Sequence, residues 1–361
     1  MGKKKQHHRK RLEEELPSSA FDCHSALEGD ADGADDGNGA AAVQGDEECD
    51  EGLKHDLYQR AVQAPRGEIS YLQKFFLTYV GGRIPLHMRE DFCGTALICA
   101  EWVRGDARRT AVGVDLDDDA LSWGLKNNVL GGRGDTANRV DLFHQNVLHP
   151  LAKSGKFVLE NRSPASVETR NGGEGDEDPE ETRVEQRSDV ICALNFSCCC
   201  LQERKDLVSY FRQALSSISN KGGVFVMDLY GGLSSEQSLR IRRRYSDFTY
   251  TWEQEEFDII KRTTRISLHF QLAKSRRVLR HAFSYHWRLW TIPEVRDCLD
   301  EAGFDSTHLW LCERPELLER KNGLDNTNDD KGDYEELESF NQCDAWNAYI
   351  VGVKNRRSQT L

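Results

Sequence analysis

A carboxylate, a turn of small residues and a second carboxylate stand at spacings in this 361-residue chain that could hold a ribose-bearing ligand. Glu90 lies at the end of a predicted strand, and Cys93-Gly94-Thr95-Ala96 make the turn. Small residues there let backbone approach a ligand closely. Leu97, Ile98, Ala100, Trp102 and Val103 give the next segment a helical apolar face that Gly105 ends. The apolar run Ala111-Val112-Gly113-Val114 then stops at Asp115, 21 residues beyond Gly94. That is about where a βαβ unit places an acid to accept from ribose hydroxyls. As a dinucleotide fingerprint the match is poorer, because Gly-x-Gly-x-x-Gly is absent.

The stretch resembles the class I S-adenosylmethionine-dependent methyltransferases, in which an acidic strand end and a Gly-rich turn, often Cys-Gly-Thr-Gly, cradle the methionine part of the cofactor. The matching residues are Glu90, Cys93-Gly94-Thr95-Ala96 and Asp115, with Phe92 and Ala96 where glycines are usual. The resemblance implies S-adenosyl-L-methionine as cofactor and a Rossmann-like, doubly wound α/β fold with a seven-stranded sheet. It implies that Asp115 holds the ribose with Leu116 beside it, and that Arg89, Glu90, Cys93, Gly94 and Thr95 surround the methionine. Asn146, ending a third strand, would face the adenine amino group, with Val147 on the ring. An N-terminal helix would close over the cofactor, with Tyr58, Gln59 and Gln63 as candidates for that lid.

The remaining elements follow from pattern. Leu57, Tyr58, Ala61 and Val62 have helical spacing from about Leu53, and Ile69 to Tyr79 form a second helix. A helix over 118–128 precedes the third strand, 140–147. The fourth, 189–194, runs into Asn195 and Phe196; ligands bind off the carboxyl ends of parallel strands, which puts both residues at the reacting centre or beside the cofactor sulfonium, as cofactor-binding candidates. The helix 204–218, the Gly222-Gly223 turn and the fifth strand, 224–230, come next, and the turn and strand resemble the same family. Thr291-Ile292-Pro293-Glu294 has capping-box spacing and starts a last helix. Strands at 306–312 and 345–353 would close the sheet edge as an antiparallel pair.

Two segments depart from a minimal sheet. Residues 152–188 read as a disordered acidic insertion, with six acids in eight positions at Glu174–Glu181. Around Phe248, Ile266 and Phe283 three runs alternate with period two, predicting a β-meander insertion at 245–290 after the fifth strand. Its Trp252, Glu253, Glu255, Glu256, Tyr285, His286, Trp287, Arg288 and Trp290 mix aromatic faces with nearby carboxylates, which suits a cationic amine acceptor, although alternation splits Tyr285 and Trp287 from His286 and Arg288. Asn195, Tyr230 and Tyr285 are the catalytic candidates; methyl transfer needs positioning and water exclusion more than an acid–base pair. Arg240, Arg242, Arg243 and Arg244 form a basic patch that could contact phosphate, with little elsewhere in support of nucleic acid.

The methyltransferase domain is expected over 53–355, between a tail at 1–52 and a short one at 356–361. Charge is uneven: residues 28–51 carry ten acids and no base, most of the formal −13. The folded part is nearly balanced. No apolar run approaches the ~18 residues of a membrane span. Eleven cysteines in no paired metal or disulfide spacing suit buried thiols in a reducing compartment. A cytoplasmic protein without a metal site is expected, with the run Lys3–Arg11 a candidate nuclear import signal or nucleic-acid tether. The partner is a small-molecule or protein acceptor. Two alternatives stay open: a catalytically silent binding module of the same fold, and an NAD(P)-dependent oxidoreductase.

Overall fold

Strands with apolar residues at every position bury both faces, and the central strands here do so. In β4 (Val190–Ala193) and β5 (Gly223–Gly231), Val190, Cys192, Val224 and Val226 face one apolar cluster; Ile191, Ala193, Phe225 and Met227 face the other. The computed structural model describes residues 44–132, 135–151, 156–157, 187–313 and 333–356. The expectations for the chain before residue 44, most of the acidic insertion and the final tail from 357 lie outside them.

β1 (His87–Asp91), β2 (Thr110–Asp115), β3 (Val140–His144), β4 and β5 pair in parallel in the order β3-β2-β1-β4-β5. β12 (Trp346–Lys354) joins β5 antiparallel, β10 (Ser306–Glu313) joins β12, and β11 (Glu335–Glu336) lies outermost. The sheet therefore has eight strands where seven were expected, the extra one a two-residue edge strand. Two residues in a polar loop carry no hydrophobic period that could reveal them.

One face is covered by α2 (Pro65–Tyr79) and α3 (Leu97–Arg104), through Leu72, Phe75, Phe76 and Trp102. The other is covered by α5 (Arg204–Ser217) and α6 (Ile292–Ala302), through Leu207, Tyr210, Phe211 and Leu299. The Thr291/Glu294 capping box forms with both of its hydrogen bonds. α4 (Asp118–Gly124) continues into a π-helical turn, Leu125–Leu130. α1 (Gln44–Val62) starts ahead of Leu53, so residues 44–52 belong to a helix and not to the expected tail.

A second, antiparallel sheet stands apart: β6 (Leu239–Arg244), β7 (Phe248–Gln254), β8 (Thr263–Leu272) and β9 (Val278–Arg288). It has four strands, not three, because the basic patch is itself the strand β6. The stretch Leu-Arg-Ile-Arg-Arg-Arg has too few apolar residues to show the alternation that marks its neighbours.

Candidate functional site

The chain leaves β1 through a turn that hydrogen bonds hold from three directions. Gly94 N–H donates to Asp115 Oδ2 at 2.6 Å, joining the turn to the end of β2. Asp115 Oδ1 accepts from Leu116 and Asp117 N–H at 2.7 and 3.0 Å, so one carboxylate organises both strand ends. Asn128 Nδ2 donates to Thr95 O at 2.7 Å, and Gln59 Nε2 donates to Thr95 Oγ1 at 2.6 Å from α1. Phe92, Gly94 and Ala96 all have positive φ, at 57°, 49° and 54°. The phenylalanine and alanine thus hold the left-handed conformation that glycine would adopt freely. α4 closes the turn from outside: a Cβ on Gly124 would lie 2.3 Å from Thr95 O.

Glu90 supports this turn from the α3 side. It is buried, and its Oε2 accepts Cys99 N–H at 3.1 Å and the Cys99 thiol at 3.0 Å. Burial pushes its carboxyl up to about 8. Cys93 is buried with its Sγ against the position where Gly113 has no side chain. Arg89 does not belong with them. Strand alternation turns it to the opposite face, where it pairs with Asp91 at 2.6 Å and donates to Ser217 Oγ on α5. Two successive strand residues cannot face one ligand, so Arg89 leaves the cofactor-binding set.

Asn146 and Val147 follow β3; Asn146 Oδ1 accepts Leu148 N–H at 2.9 Å, and Val147 is buried in the core. After β4, Asn195 and Phe196 have φ of 60° and 61°. Asp228 holds them there, its two oxygens accepting Asn195 N–H at 2.9 Å and Phe196 N–H at 2.7 Å. Sequence reasoning passed over Asp228, although an acid inside the apolar fifth strand is a signal that could have found it. The strand tips carrying Glu90, Asp115, Asn146 and Asn195 are adjacent in the order β3-β2-β1-β4 and open to one edge of the sheet.

Beside Asn195 lies an aromatic wall. The Phe196 ring is 4.9 Å from Tyr230, and Trp252 is 6.0 Å from Tyr230. Phe196, Tyr230 and Trp252 are half-buried. Gln254 orients the Tyr230 hydroxyl. Its Nε2 donates to Ser235 O and Gln237 O, both at 2.8 Å, leaving Oε1 to accept from Tyr230 at 3.2 Å. The tyrosine proton points to Gln254, so its oxygen is left as an acceptor. Tyr285, the third catalytic candidate, is instead enclosed: it is buried and stacks on Trp287 at 5.1 Å. Glu253 does not join the aromatics: it follows Trp252 on the strand, points to the other face and pairs with His269 at 3.1 Å.

α1 bridges the two sheets. Tyr58 packs into the meander, 4.9 Å from Phe283, while the adjacent Gln59 touches the β1 turn. Arg60 reaches Asp247 at 2.6 Å, and Tyr245 donates to Ala61 O. Of the three lid candidates, Gln59 hydrogen-bonds the turn. Gln63, near the helix end, has its Oε1 buried.

The sequence matches no protein-family model and no curated protein. In three dimensions it is similar to an S-adenosylmethionine-dependent methyltransferase from Clostridium acetobutylicum (TM-score 0.52, 13% identity, covering 84% of this chain and 98% of that one). It is also similar to the CcbJ methyltransferase of Streptomyces caelestis (TM-score 0.50, 14% identity, 82% and 95% covered). DesVI of Streptomyces venezuelae overlays with a TM-score of 0.51 at 12% identity, over 86% of this chain and 99% of its own.

Proposed function

We propose that this chain, whose fold is that of the class I S-adenosylmethionine-dependent methyltransferases, binds S-adenosyl-L-methionine at the tips of β1 to β4 and transfers its methyl group. The observation that carries the reading is the bond from Gly94 N–H to Asp115, which brings the small-residue turn and the acid of β2 into one cradle. A positively charged, ribose-bearing ligand suits that donor and acceptor set. Bound S-adenosyl-L-methionine supplies an electrophilic methyl group.

The chain's own residues hold the acceptor in line and exclude water. Phe196, Tyr230 and Trp252 present aromatic faces beside Asn195, which suit a cationic amine. The amine gives up its extra proton to bulk water and reacts as the neutral form; Tyr230 takes the role its hydrogen bonding allows, accepting from a remaining N–H and so orienting the nitrogen lone pair toward the methyl group. With Glu253 turned away, the amine reading rests on the aromatic faces and Tyr230.

Tritium-labelled methyl transfer into a cell extract tests this reading. The wild-type chain labels a discrete product, and Asp115→Ala weakens cofactor binding by about 1.5–3 kcal/mol, the scale of a lost hydrogen bond to a charged group. Absence of label in every fraction, with the cofactor bound normally, favours a silent binding module instead.

A further inference from the structure

Residues 239–288 hold twelve Lys/Arg against five Asp/Glu, a net of +7 in a chain of formal charge −13. The fold gathers part of that charge on one surface. β6 is an edge strand, and Arg240, Arg242 and Arg244 alternate along it opposite Glu253, Thr251 and Thr249. Alternate residues share a face, so the three arginines form a row stepping about 6.8 Å. The same face continues through His269 opposite Thr251, and Ser267 opposite Glu253. Its reverse carries Phe248, Tyr250, Ile266, Leu268 and Phe270, packed into the core.

The positive charge is answered only in part. Glu253 lies 3.5 Å from Arg240, and Glu255 lies 3.9 Å from Arg265. Arg242, Arg244 and Arg280 are exposed and have no ion pair among the described residues. Arginine forks match phosphate oxygens bidentately, and the half-buried Thr249 opposite Arg244 adds a hydroxyl beside the row, whereas Thr251 and Ser267 are buried beneath it. The row carries no aromatic or large aliphatic side chain. It therefore lacks both the apolar anchors of a protein interface and the stacking platform of a base reader.

From these features we propose that the outer face of the meander binds the phosphodiester backbone of a nucleic acid, without sequence preference. The inference goes beyond methyl transfer and does not depend on it. The face is turned away from the aromatic wall, so it tethers the chain and leaves the proposed methyl site accessible.

The test is fluorescence anisotropy of a fluorescein-labelled, mixed-sequence RNA of about 20 nucleotides with the full chain, from about 50 to 200 mM KCl. Binding is expected to weaken linearly in log–log form, with a slope near −2 for about three neutralised phosphates. Replacing the row together (Arg240→Gln, Arg242→Gln, Arg244→Gln) lowers affinity about tenfold or more and flattens that slope, with the thermal midpoint unchanged. Replacing Lys3, Lys4 and Lys5 by Gln leaves it in place. The proposal is overturned by no binding at about 50 mM KCl, by full affinity in the arginine variant, or by loss only in the lysine variant. A polyglutamate peptide held as tightly as RNA by the same arginines also overturns it, assigning the face to an acidic protein.

Discussion

Phe92, Ala96, Asn195 and Phe196 hold positive φ without being glycine, and each such conformation costs about 1–3 kcal/mol. All four lie in the loops that leave β1 and β4, where Asp115 and Asp228 fix the adjoining N–H groups. Glu90 adds a titration. Its carboxyl ionises near its ordinary value of about 4.5 when unfolded and is pushed up to about 8 when folded. Between those values the folded chain binds the extra proton, so Glu90 makes stability fall as pH rises from about 4.5 to 8. Thermal midpoints of wild type and Glu90→Gln are therefore expected to converge at acidic pH and to separate in the variant's favour above pH ~8. Parallel profiles across that range would remove Glu90 as the cause.

Helix α1 is the element on which the site depends most, since it touches the β1 turn through Gln59 and the meander through Tyr58. His55 lies between Trp123 and Phe283, and burial pushes its imidazolium down to about 3. The unfolded histidine takes a proton near 6.5, so here stability is full above that pH and is lost as pH falls toward 3. Hydrogen-exchange protection factors of residues 53–62, corrected for the intrinsic pH dependence of exchange, should therefore fall between about pH 7 and 5, and His55→Phe should suppress that fall. α4 makes the complementary contact. Gly124→Ala sets a Cβ against Thr95 O, so a loss of about 1–3 kcal/mol in urea unfolding is expected, together with weaker cofactor binding. An unchanged midpoint would show that α4 can shift.

At this scale the helices and parallel strands were legible, because their apolar periods are long and their caps ordinary, as at Thr291 and Glu294. β6 was not, for an arginine-rich edge strand buries too little to alternate. Arg89 was misplaced although the period of two was available: Glu90 and Arg89 cannot share a face. Asp228 and Gln254 act on backbone and side-chain atoms distant in sequence, so only the fold reveals their partners.

Across the whole molecule, an eight-stranded sheet positions the cradle together with Phe196 and Tyr230 of the aromatic wall, and a four-stranded sheet adds Trp252 on one face and carries a basic row on the other. Trp252 and the basic row thus lie on opposite faces of the four-stranded sheet. Among the described residues no helix is long and apolar enough to cross a membrane. Calorimetry of the full chain with S-adenosyl-L-methionine, and separately with NAD and NADP, tests the central claim most directly. One equivalent of S-adenosyl-L-methionine bound by wild type, markedly weaker in Asp115→Ala, with no heat from either dinucleotide, is the expected result. Saturable binding of a dinucleotide, or no S-adenosyl-L-methionine bound by a folded wild-type chain, would contradict it.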